Sequence, residues 1–330
     1  MTDHPHIPVM LDSVLAAAEP KDGDIVVDAT FGFGGYSEAF LRAAETTVFG
    51  LDRDPTVLPR AKTLSADYPT RFQLVETPFS KLDQVAIPAA DIIVFDIGVS
   101  SMQIDQADRG FSFQKDGPLD MRMSQSGPTA RDAVMRLDEA ELAALFRFYG
   151  EERHARRAAR RLVEARSEVP IETTLQLAEL IESVIGRSGK IHPATRVFQA
   201  LRIFINDELG ELYRGLCAAE ALLKPGGRLV VVTFHSLEDR IAKKFLRDRA
   251  GEVSGGSRYA PAVEVTGPPA SFTLPYRSTI KPSRLEERDN PRARSAKLRV
   301  ATRTHAPAHV CDPTAWMPKN AALPSLEQLA

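Results

Sequence analysis

Two cysteines are all that this chain of 330 residues contains. Cys217 and Cys311 form no Cys-x-x-Cys pair, and neither lies near a cluster of histidines. So few thiols exclude a disulfide-rich secreted scaffold and the common structural zinc sites. We therefore expect a reduced, cytoplasmic protein that holds no structural metal.

Long apolar runs and a secretory signal are also missing. No stretch approaches the ~20 apolar residues of a transmembrane helix, and the N-terminus, MTDHPHIPVMLDSVL, has no basic n-region or small-residue cleavage site. The composition, 43% hydrophobic and 26% charged, is that of an ordinary soluble globular protein. We expect no membrane partner, and the length suits two domains.

A strong net charge is absent too, since the formal value is −2. Basic residues are nevertheless concentrated in two stretches. Residues 240–249 carry five basic residues against one acid, and residues 277–303 carry nine against three. Such local patches suit a polyanion held at one face, although a solvated surface explains each patch alone equally well.

The chain does contain five apolar segments rich in Val, Ile or Phe. Helical stretches separate the early ones, and strands alternating with helices predict an α/β fold with a doubly wound, mostly parallel sheet. We predict strands at Asp24–Asp28, Thr47–Asp52, Arg71–Val75, Asp91–Asp96 and Arg228–Phe234.

A long region without any strand pattern separates the fourth and fifth segments. Within it, Asp138 and Glu141 form a capping-box pattern, Gly186 marks a helix end and Pro193 marks a helix start. An all-helical domain inserted into the sheet domain is therefore predicted. The predicted boundaries are 1–107 and 209–305 for the sheet domain and 108–208 for the insert, with a mobile loop at 251–275 and a loosely held tail at 306–330.

A glycine-dense turn, DATFGFGGYS, follows the first predicted strand. It departs from the dinucleotide fingerprint G-x-G-x-x-G, because Ser37 takes the third glycine position and Gly35 is additional. Asp52 closes the second strand twenty residues after Gly32, where an acid can accept the ribose hydroxyls of an adenosine. NAD and S-adenosylmethionine both fit this pattern.

Asp28, just ahead of the turn, shifts the balance between these ligands. A carboxylate there would repel a pyrophosphate at the helix N-terminus, but it suits a ligand with an ammonium and a sulfonium group. A network at the N-terminus of the helix is the alternative role. Asp96 ends the fourth strand, so that Asp28, Asp52 and Asp96 should meet at the carboxyl edge of the sheet, where such folds bind ligands. We favour S-adenosylmethionine.

Longer motifs run from Asp28 to Arg299, nearly the whole chain. They include DIGVSSMQID, GPLDMRM, FHSLEDR and NPRARSAKLR, and several of them, such as GPLDMRM and FHSLEDR, are not generic to methyltransferases. Together these motifs resemble those of the bacterial 16S ribosomal-RNA (cytosine-N4-)-methyltransferases. The resemblance implies a class I methyltransferase that uses S-adenosylmethionine, carries an inserted helical domain for substrate recognition, and modifies a cytidine in the decoding region of 16S ribosomal RNA, within the small ribosomal subunit.

The resemblance also implies which residues contact the cofactor. Phe79 would lie against the adenine face. The family usually has His where this chain has Tyr36, so a main-chain contact at this position survives and a contact through the imidazole does not. The implied cofactor contacts are Gly34, Gly35, Tyr36, Asp52, Phe79, Asp96 and Gln103.

Methylation of the cytosine amine needs alignment of the reacting atoms and an acceptor for the amine proton. Asp96, or the main-chain carbonyls of the DIGVSS turn, are the first candidates for this catalytic acceptor. His235 and Ser236, just past the fifth strand, are the second, with a structural hydrogen bond as the other role for His235. Neither cysteine follows a strand end, which disfavours the thiolate attack that methylation at carbon 5 needs.

An arginine stripe in the insert is the candidate RNA face. Its spacing places five arginines on one side of a predicted helix, where they could follow phosphates, although a salt-bridged solvated helix fits equally well. The target base would have to leave its stack. The arginines are Arg153, Arg156, Arg157, Arg160 and Arg161.

Two rival functional classes stay open on the residues alone. One is a nicotinamide-dependent oxidoreductase, which the glycine turn permits. The other is a non-catalytic RNA-binding or ribosome-assembly factor that keeps a cofactor fold. The oligomeric state is open as well, between a monomer and a homodimer.

Overall fold

A computed structural model of the chain describes residues 8–187, 192–251, 267–276, 278–318 and 322–329. The chain divides into two compact units. The first comprises Met1–Gly98 and Leu209–Trp316, and the second comprises Val99–Glu208 and Met317–Ala330. The second unit thus begins nine residues before the predicted insert, and it includes the end of the predicted tail. None of the described helices is long and apolar enough to cross a membrane.

A seven-stranded sheet forms the centre of the first unit, in the order β3-β2-β1-β4-β5-β7-β6. The first five strands run parallel, whereas β7 is antiparallel to β5 and β6 is antiparallel to β7. Strand order reverses between β1 and β4, which makes their carboxyl ends the topological switch point. The strands are β1 Ile25–Asp28, β2 Thr47–Asp52, β3 Phe72–Glu76, β4 Ala90–Asp96, β5 Leu223–Thr233, β6 Phe272–Thr273 and β7 Lys297–Arg303.

The parallel strands are buried because helices cover the sheet. β4 and the second half of β5 each contain a run of four buried apolar residues, at 92–95 and 229–232, as expected for parallel strands covered on both faces. The predicted doubly wound α/β sheet is confirmed. The helices of this part of the chain are α1 Leu11–Ala18, α2 Gly35–Ala43, α3 Leu58–Asp67, α10 Glu208–Leu222, α11 Ser236–Arg249 and α12 Arg284–Asp289.

Strand β7 was not predicted, because its residues were read only as part of a basic stretch. In the sheet, apolar Leu298, Val300 and Ala301 are buried, while Lys297 and Arg299 are half-buried. Part of the predicted mobile loop at 251–275 is also wrong. Ser271 and Phe272 are fully buried and Phe272 lies in β6, although residues 252–266 lie outside the described residues.

The second unit is helical, and its helix ends follow the sequence signals. Asp138 Oδ1 accepts the amide of Glu141 at 2.8 Å, and Glu141 Oε2 accepts the amide of Asp138 at 2.9 Å, which completes the predicted capping box. One helix ends before Gly186, and the next follows Pro193. The helices are α4 Ser101–Asp105, α5 Ala130–Arg136, α6 Glu139–Tyr149, α7 Ala155–Glu168, α8 Thr174–Ile185 and α9 Ala194–Ile205.

The tail is held more closely than its composition suggests. In the first unit, the amide of His309 donates to Glu220 at 3.0 Å. In the second unit, the carbonyl of Leu329 accepts from Arg136 at 2.6 Å, and Leu329 is buried. The two parts of the tail therefore pack within different units.

Cys217 of α10 and Cys311 of the tail are joined by a disulfide, with their Cα atoms 5.9 Å apart. The prediction of a reduced protein is wrong for this structure. The two cysteines are 94 residues apart, and nothing in the local sequence around either one indicates a partner. The bond from His309 to Glu220, three residues after Cys217, explains how the tail reaches α10.

Glu220 is the centre of a buried polar cluster, which makes the stability of the first unit depend on it. It is fully buried, and its carboxylate accepts from Arg249 at 3.2 Å and from the Ser271 hydroxyl. Glu220→Ala leaves the buried Arg249 without its counter-charge, and we expect a loss of roughly 3–5 kcal/mol in the free energy of unfolding. Urea denaturation followed by the fluorescence of Trp316, the only tryptophan, measures this.

Glu179 supplies the matched control for this experiment. It is an exposed glutamate within α8, and Glu179→Ala should change the free energy of unfolding by less than about 0.5 kcal/mol. Equal denaturation midpoints for the two variants would show that the cluster adds no net stability.

Candidate active site

Three neighbouring strands, β1, β2 and β4, each end in an aspartate at one edge of the sheet. Asp28 is paired in register with Gly50 of β2 and Val94 of β4, so that Asp52 and Asp96 each lie two residues beyond it. The acids therefore flank the switch point, where open parallel sheets bind ligands. This placement was predicted from the sequence.

The glycine turn after β1 lies at the same edge, and its backbone conformation requires glycine. Gly32 has φ +51° and Gly34 has φ +73°, both in the left-handed region that favours glycine. A Cβ on Gly34 would lie 2.8 Å from the ring of Phe31, so a side chain has no room there. Gly35 begins α2, and its amide is one of those that a helix N-terminus leaves without an intrahelical partner.

Asp52 ties the end of β2 to this turn. Its Oδ2 accepts the amide of Gly32 at 2.8 Å, and its Oδ1 accepts the amide of Asp54 at 2.8 Å. Burial raises the pKa of Asp52 above its ordinary value. Because a carboxylate oxygen has two lone pairs, each oxygen keeps one acceptor position, which is the arrangement that a pair of ribose hydroxyls requires.

Asp28 is fully buried and forms the network that was the alternative to a ligand contact. Its Oδ2 accepts from both the amide (3.1 Å) and the hydroxyl (2.7 Å) of Ser37, in the first turn of α2, and its Oδ1 accepts the amide of Thr30 at 3.3 Å. Burial raises the pKa of Asp28 to about 6, although these hydrogen bonds oppose the rise. Asp28 therefore fixes the glycine turn against the start of α2. Whether its carboxyl group is ionised depends on the groups around it.

Asp96 differs from the other two acids because part of its carboxyl group is unused. Its main-chain amide donates to the hydroxyl of Thr30 at 2.7 Å, but its buried Oδ1 has no hydrogen-bond partner among the described residues. Burial raises the pKa of Asp96 well above its ordinary value, and the carboxyl groups of Asp28 and Glu238 raise it further. A buried acceptor left unpaired is costly, and it fits a group that completes its bonding with a ligand.

Phe79 lies in a short 3₁₀ helix that follows β3. Its ring packs edge-on against Phe95 of β4, with centroids 5.5 Å apart. A Cβ on Gly215 of α10 would lie 2.6 Å from the Phe79 ring, so the glycine makes room for it. The half-buried ring is thereby held in a fixed orientation, as a flat surface for an aromatic ligand requires.

Tyr36 turns its side chain into the protein rather than outward. The ring is buried, and the hydroxyl donates to the carbonyl of Val9. Burial raises the pKa of Tyr36 well above its ordinary value. Only the main chain of Tyr36 can therefore contact a ligand at this position. Such a contact does not depend on whether the residue is His or Tyr.

His235 follows β5 and precedes the first turn of α11. Its Nε2 lies 2.8 Å from Oε1 of Glu238. The other oxygen of Glu238 accepts the amides of Phe234 (2.7 Å) and His235 (3.0 Å), and Glu238 is fully buried. Glu238 was missed from the sequence, although an acid three residues after an N-cap is a capping-box signal that could have found it.

The remaining predicted residues lie in the second unit. Gln103 is buried in α4, where its Oε1 accepts the amide of Ser100 at 3.0 Å. The arginine stripe is partly different from its prediction, because α7 begins at Ala155 and Arg153 precedes it. Arg157 donates to the carbonyl of Val184 at 2.7 Å, and Arg160 lies 3.5 Å from Glu139. Arg153 and Arg156 are exposed, with no carboxylate partner among the described residues.

This chain is similar to several known proteins. A protein of Maricaulis maris named ribosomal RNA small subunit methyltransferase H is 59% identical over 314 residues, covering 93% of this chain and 94% of that protein. A protein of the same name from Caulobacter vibrioides is 56% identical over 310 residues, covering 93% and 98%. The solved structure of an rRNA methylase from Streptococcus thermophilus is 13% identical and covers 92% of this chain and 99% of its own, with a TM-score of 0.38. Residues 3–304 match the family described as the MraW methylase family, and the chain belongs to that family.

Proposed function

We propose that this methyltransferase methylates the N4 amine of a cytidine in 16S ribosomal RNA, with S-adenosylmethionine as methyl donor. The observation that carries the proposal is the unpaired, buried carboxyl oxygen of Asp96, beside a glycine turn and an acid suited to an adenosine ribose. The choice of small-subunit ribosomal RNA as substrate is based on the names of the relatives. The choice of the cytidine amine as the methylated group is based on the sequence motifs. The substrate is RNA within the cytoplasmic small ribosomal subunit, and the enzyme acts as a monomer or homodimer.

The residues of the first unit fit the parts of this cofactor. Asp52 accepts the ribose hydroxyls through the acceptor positions that Gly32 and Asp54 leave open. Phe79 lies against the adenine, and the amides of the glycine turn and of Tyr36 contact the methionine portion. Gln103 of the second unit is proposed as a further contact.

S-adenosylmethionine, when bound, supplies a methyl group activated by the positively charged sulfur. Asp96 accepts a hydrogen bond from the cytosine amine, which draws the nitrogen lone pair out of conjugation with the ring. Methyl transfer would form the bond between the nitrogen and the methyl carbon, break the bond between that carbon and the sulfur, and leave neutral S-adenosylhomocysteine. The positive charge would then lie on the nitrogen, and the carboxylate of Asp96 would take up the proton that the amine loses. Positive charge nearby favours the ionised form of Asp96, which its burial otherwise disfavours.

His235 is the second candidate for proton acceptor. Glu238 lies beside its Nε2 and is itself held by two main-chain amides, so a carboxylate has a fixed position next to the imidazole. A proton taken up by His235 would be stabilised by the carboxylate 2.8 Å away. Glu238 therefore acts as a positioning residue in this alternative.

The activity is tested with small ribosomal subunits from a strain that lacks this gene. The purified chain and S-adenosylmethionine should add one methyl group, which mass spectrometry of the RNA locates on the cytidine amine. A methyl group on carbon 5, or none on RNA, would refute the proposal. The oxidoreductase is excluded separately if S-adenosylhomocysteine raises the melting temperature of the chain and NAD does not, and the non-catalytic factor is excluded by the transfer of the methyl group itself.

Asp52→Ala should weaken cofactor binding. The substitution removes the acceptor for the ribose hydroxyls, and we expect a loss of about 1–3 kcal/mol in the binding free energy of S-adenosylhomocysteine, measured by calorimetry. Asp67→Ala, at an exposed position at the end of α3, is the control. Unchanged affinity in a folded Asp52→Ala protein would remove Asp52 from the site.

Cofactor affinity should rise with pH between about 5 and 7. Burial raises the pKa of Asp28 to about 6, and a cationic ligand favours its ionised form, so binding lowers this pKa and releases protons. Calorimetry in two buffers of different ionisation enthalpy measures the protons released. Asp28→Asn should flatten the pH dependence, and equal wild-type affinity at pH 5.5 and 7 would contradict a cation beside Asp28.

Asp96→Asn should separate chemistry from binding. The amide keeps the size but loses the charge and half of the acceptor capacity, so the interaction that strengthens in the transition state is lost. We expect a drop of about 100-fold or more in the single-turnover rate at saturating cofactor, with a much smaller loss of cofactor affinity. A normal rate would leave Asp96 as a binding residue, and His235 would become the first candidate for proton acceptor.

A further inference from the structure

A pocket of about 220 Å³ lies in the first unit between α11, β7 and the segment that follows β6. Apolar Leu246 and Val300 contribute to its lining. Around them stand Lys243 and Arg247 of α11, Arg299 of β7, and Tyr276. Both basic stretches of the sequence thus meet in one pocket, and the proposed chemistry at the sheet edge uses neither.

The charge of this pocket is positive. Among the described residues that line it, three are basic and none is acidic. Arg299 is compensated, because its guanidinium lies 2.7 Å from Asp239, which also pairs with Lys297 at 2.8 Å. Lys243 is exposed and has no ion-pair partner in the part of the chain that the structure describes. Lys243 of α11 therefore carries uncompensated positive charge, which fits an anionic ligand.

Tyr276 adds a feature that a simple phosphate site does not need. Its side chain is 46% exposed, unlike most large hydrophobic residues of the chain. An exposed aromatic ring beside basic side chains is the combination with which proteins bind single-stranded nucleic acid, because bases stack on the ring and phosphates pair with the cations.

The position of the pocket relates it to the proposed reaction. Helix α11 begins directly after His235, so Lys243 and Arg247 lie about 12 and 18 Å along its axis from the edge that carries the candidate acceptors. A strand whose target base is at that edge can therefore extend along α11 to the pocket.

We propose that this pocket is a subsite for a single-stranded nucleotide that flanks the target cytidine. Tyr276 stacks on its base, and Lys243 and Arg247 contact its phosphates. The inference rests on the proposed function, since it takes the substrate to be RNA.

The test uses the full-length chain with S-adenosylhomocysteine and a fluorescein-labelled single-stranded RNA, with affinity measured by anisotropy across a range of salt concentrations. Tyr276→Ala should weaken binding about tenfold, whereas Tyr276→Phe, which keeps the ring, should stay within about twofold of wild type. The double variant Lys243→Gln/Arg247→Gln should reduce the salt slope by about 1.4, the value for two phosphate contacts on a single strand.

Lys62→Gln, at an exposed lysine of α3, is the matched control for lost charge and should leave the salt slope unchanged. If the wild type methylates small-subunit RNA while the Tyr276 and double variants bind and methylate like the control, the subsite is wrong and the proposed function stands. If the variants bind free RNA normally but methylate intact subunits poorly, the pocket contacts a protein and the inference is also wrong. A wild-type chain that methylates no RNA refutes the proposed function itself.

Discussion

Three carboxyl groups lie at one edge of a parallel sheet, where Asp28 is fully buried and Asp52 and Asp96 are half-buried, and the rest of the site depends on whether these groups are charged. Burial raises the pKa of Asp28, Asp52 and Asp96 alike. Among the described residues, no lysine or arginine forms an ion pair with Asp28 or Asp96. A buried carboxylate without a counter-charge tends to take up a proton instead. A cation bound at this edge would therefore decide whether these carboxyl groups are ionised.

Hydrogen bonds divide the three acids into two kinds. Asp28 and Asp52 accept main-chain amides on both oxygens, which fixes the glycine turn and the first turn of α2 against the strands. Asp96 has an oxygen with no such donor. An acid that holds the main chain can lose its charge without leaving its place, whereas an acid with a free acceptor can bond to a substrate. Structural and reactive roles are thereby separated among residues of one type.

Local sequence signals predicted most of the fold. The features that were missed depend on contacts between residues that are distant in the sequence. Buried parallel strands are continuous apolar runs, and the helix ends at Asp138 and Gly186 are set by neighbouring residues, so both are visible in a short window. Strand β7 alternates charged and apolar residues and is recognisable only once β5 is beside it. The Cys217–Cys311 pair, whose members are 94 residues apart, depends on tertiary structure. The strand-end acids were predictable because their position follows from topology, whereas the amides that Asp52 accepts and the unpaired oxygen of Asp96 were not.

A net charge of −2 conceals an uneven distribution within the first unit. At the sheet edge, one acid is buried and two are half-buried, and no described lysine or arginine forms an ion pair with Asp28 or Asp96. The pocket beside α11 and β7 has cations and no lining carboxylate among the described residues. Asp239 balances Lys297 and Arg299 but leaves Lys243 uncompensated. The sheet edge therefore lacks positive charge, and the pocket lacks negative charge. A cationic cofactor at the acids and a polyanionic strand at the cations would complete both, and such ligands would reinforce each other's placement, since α11 begins at one region and passes through the other.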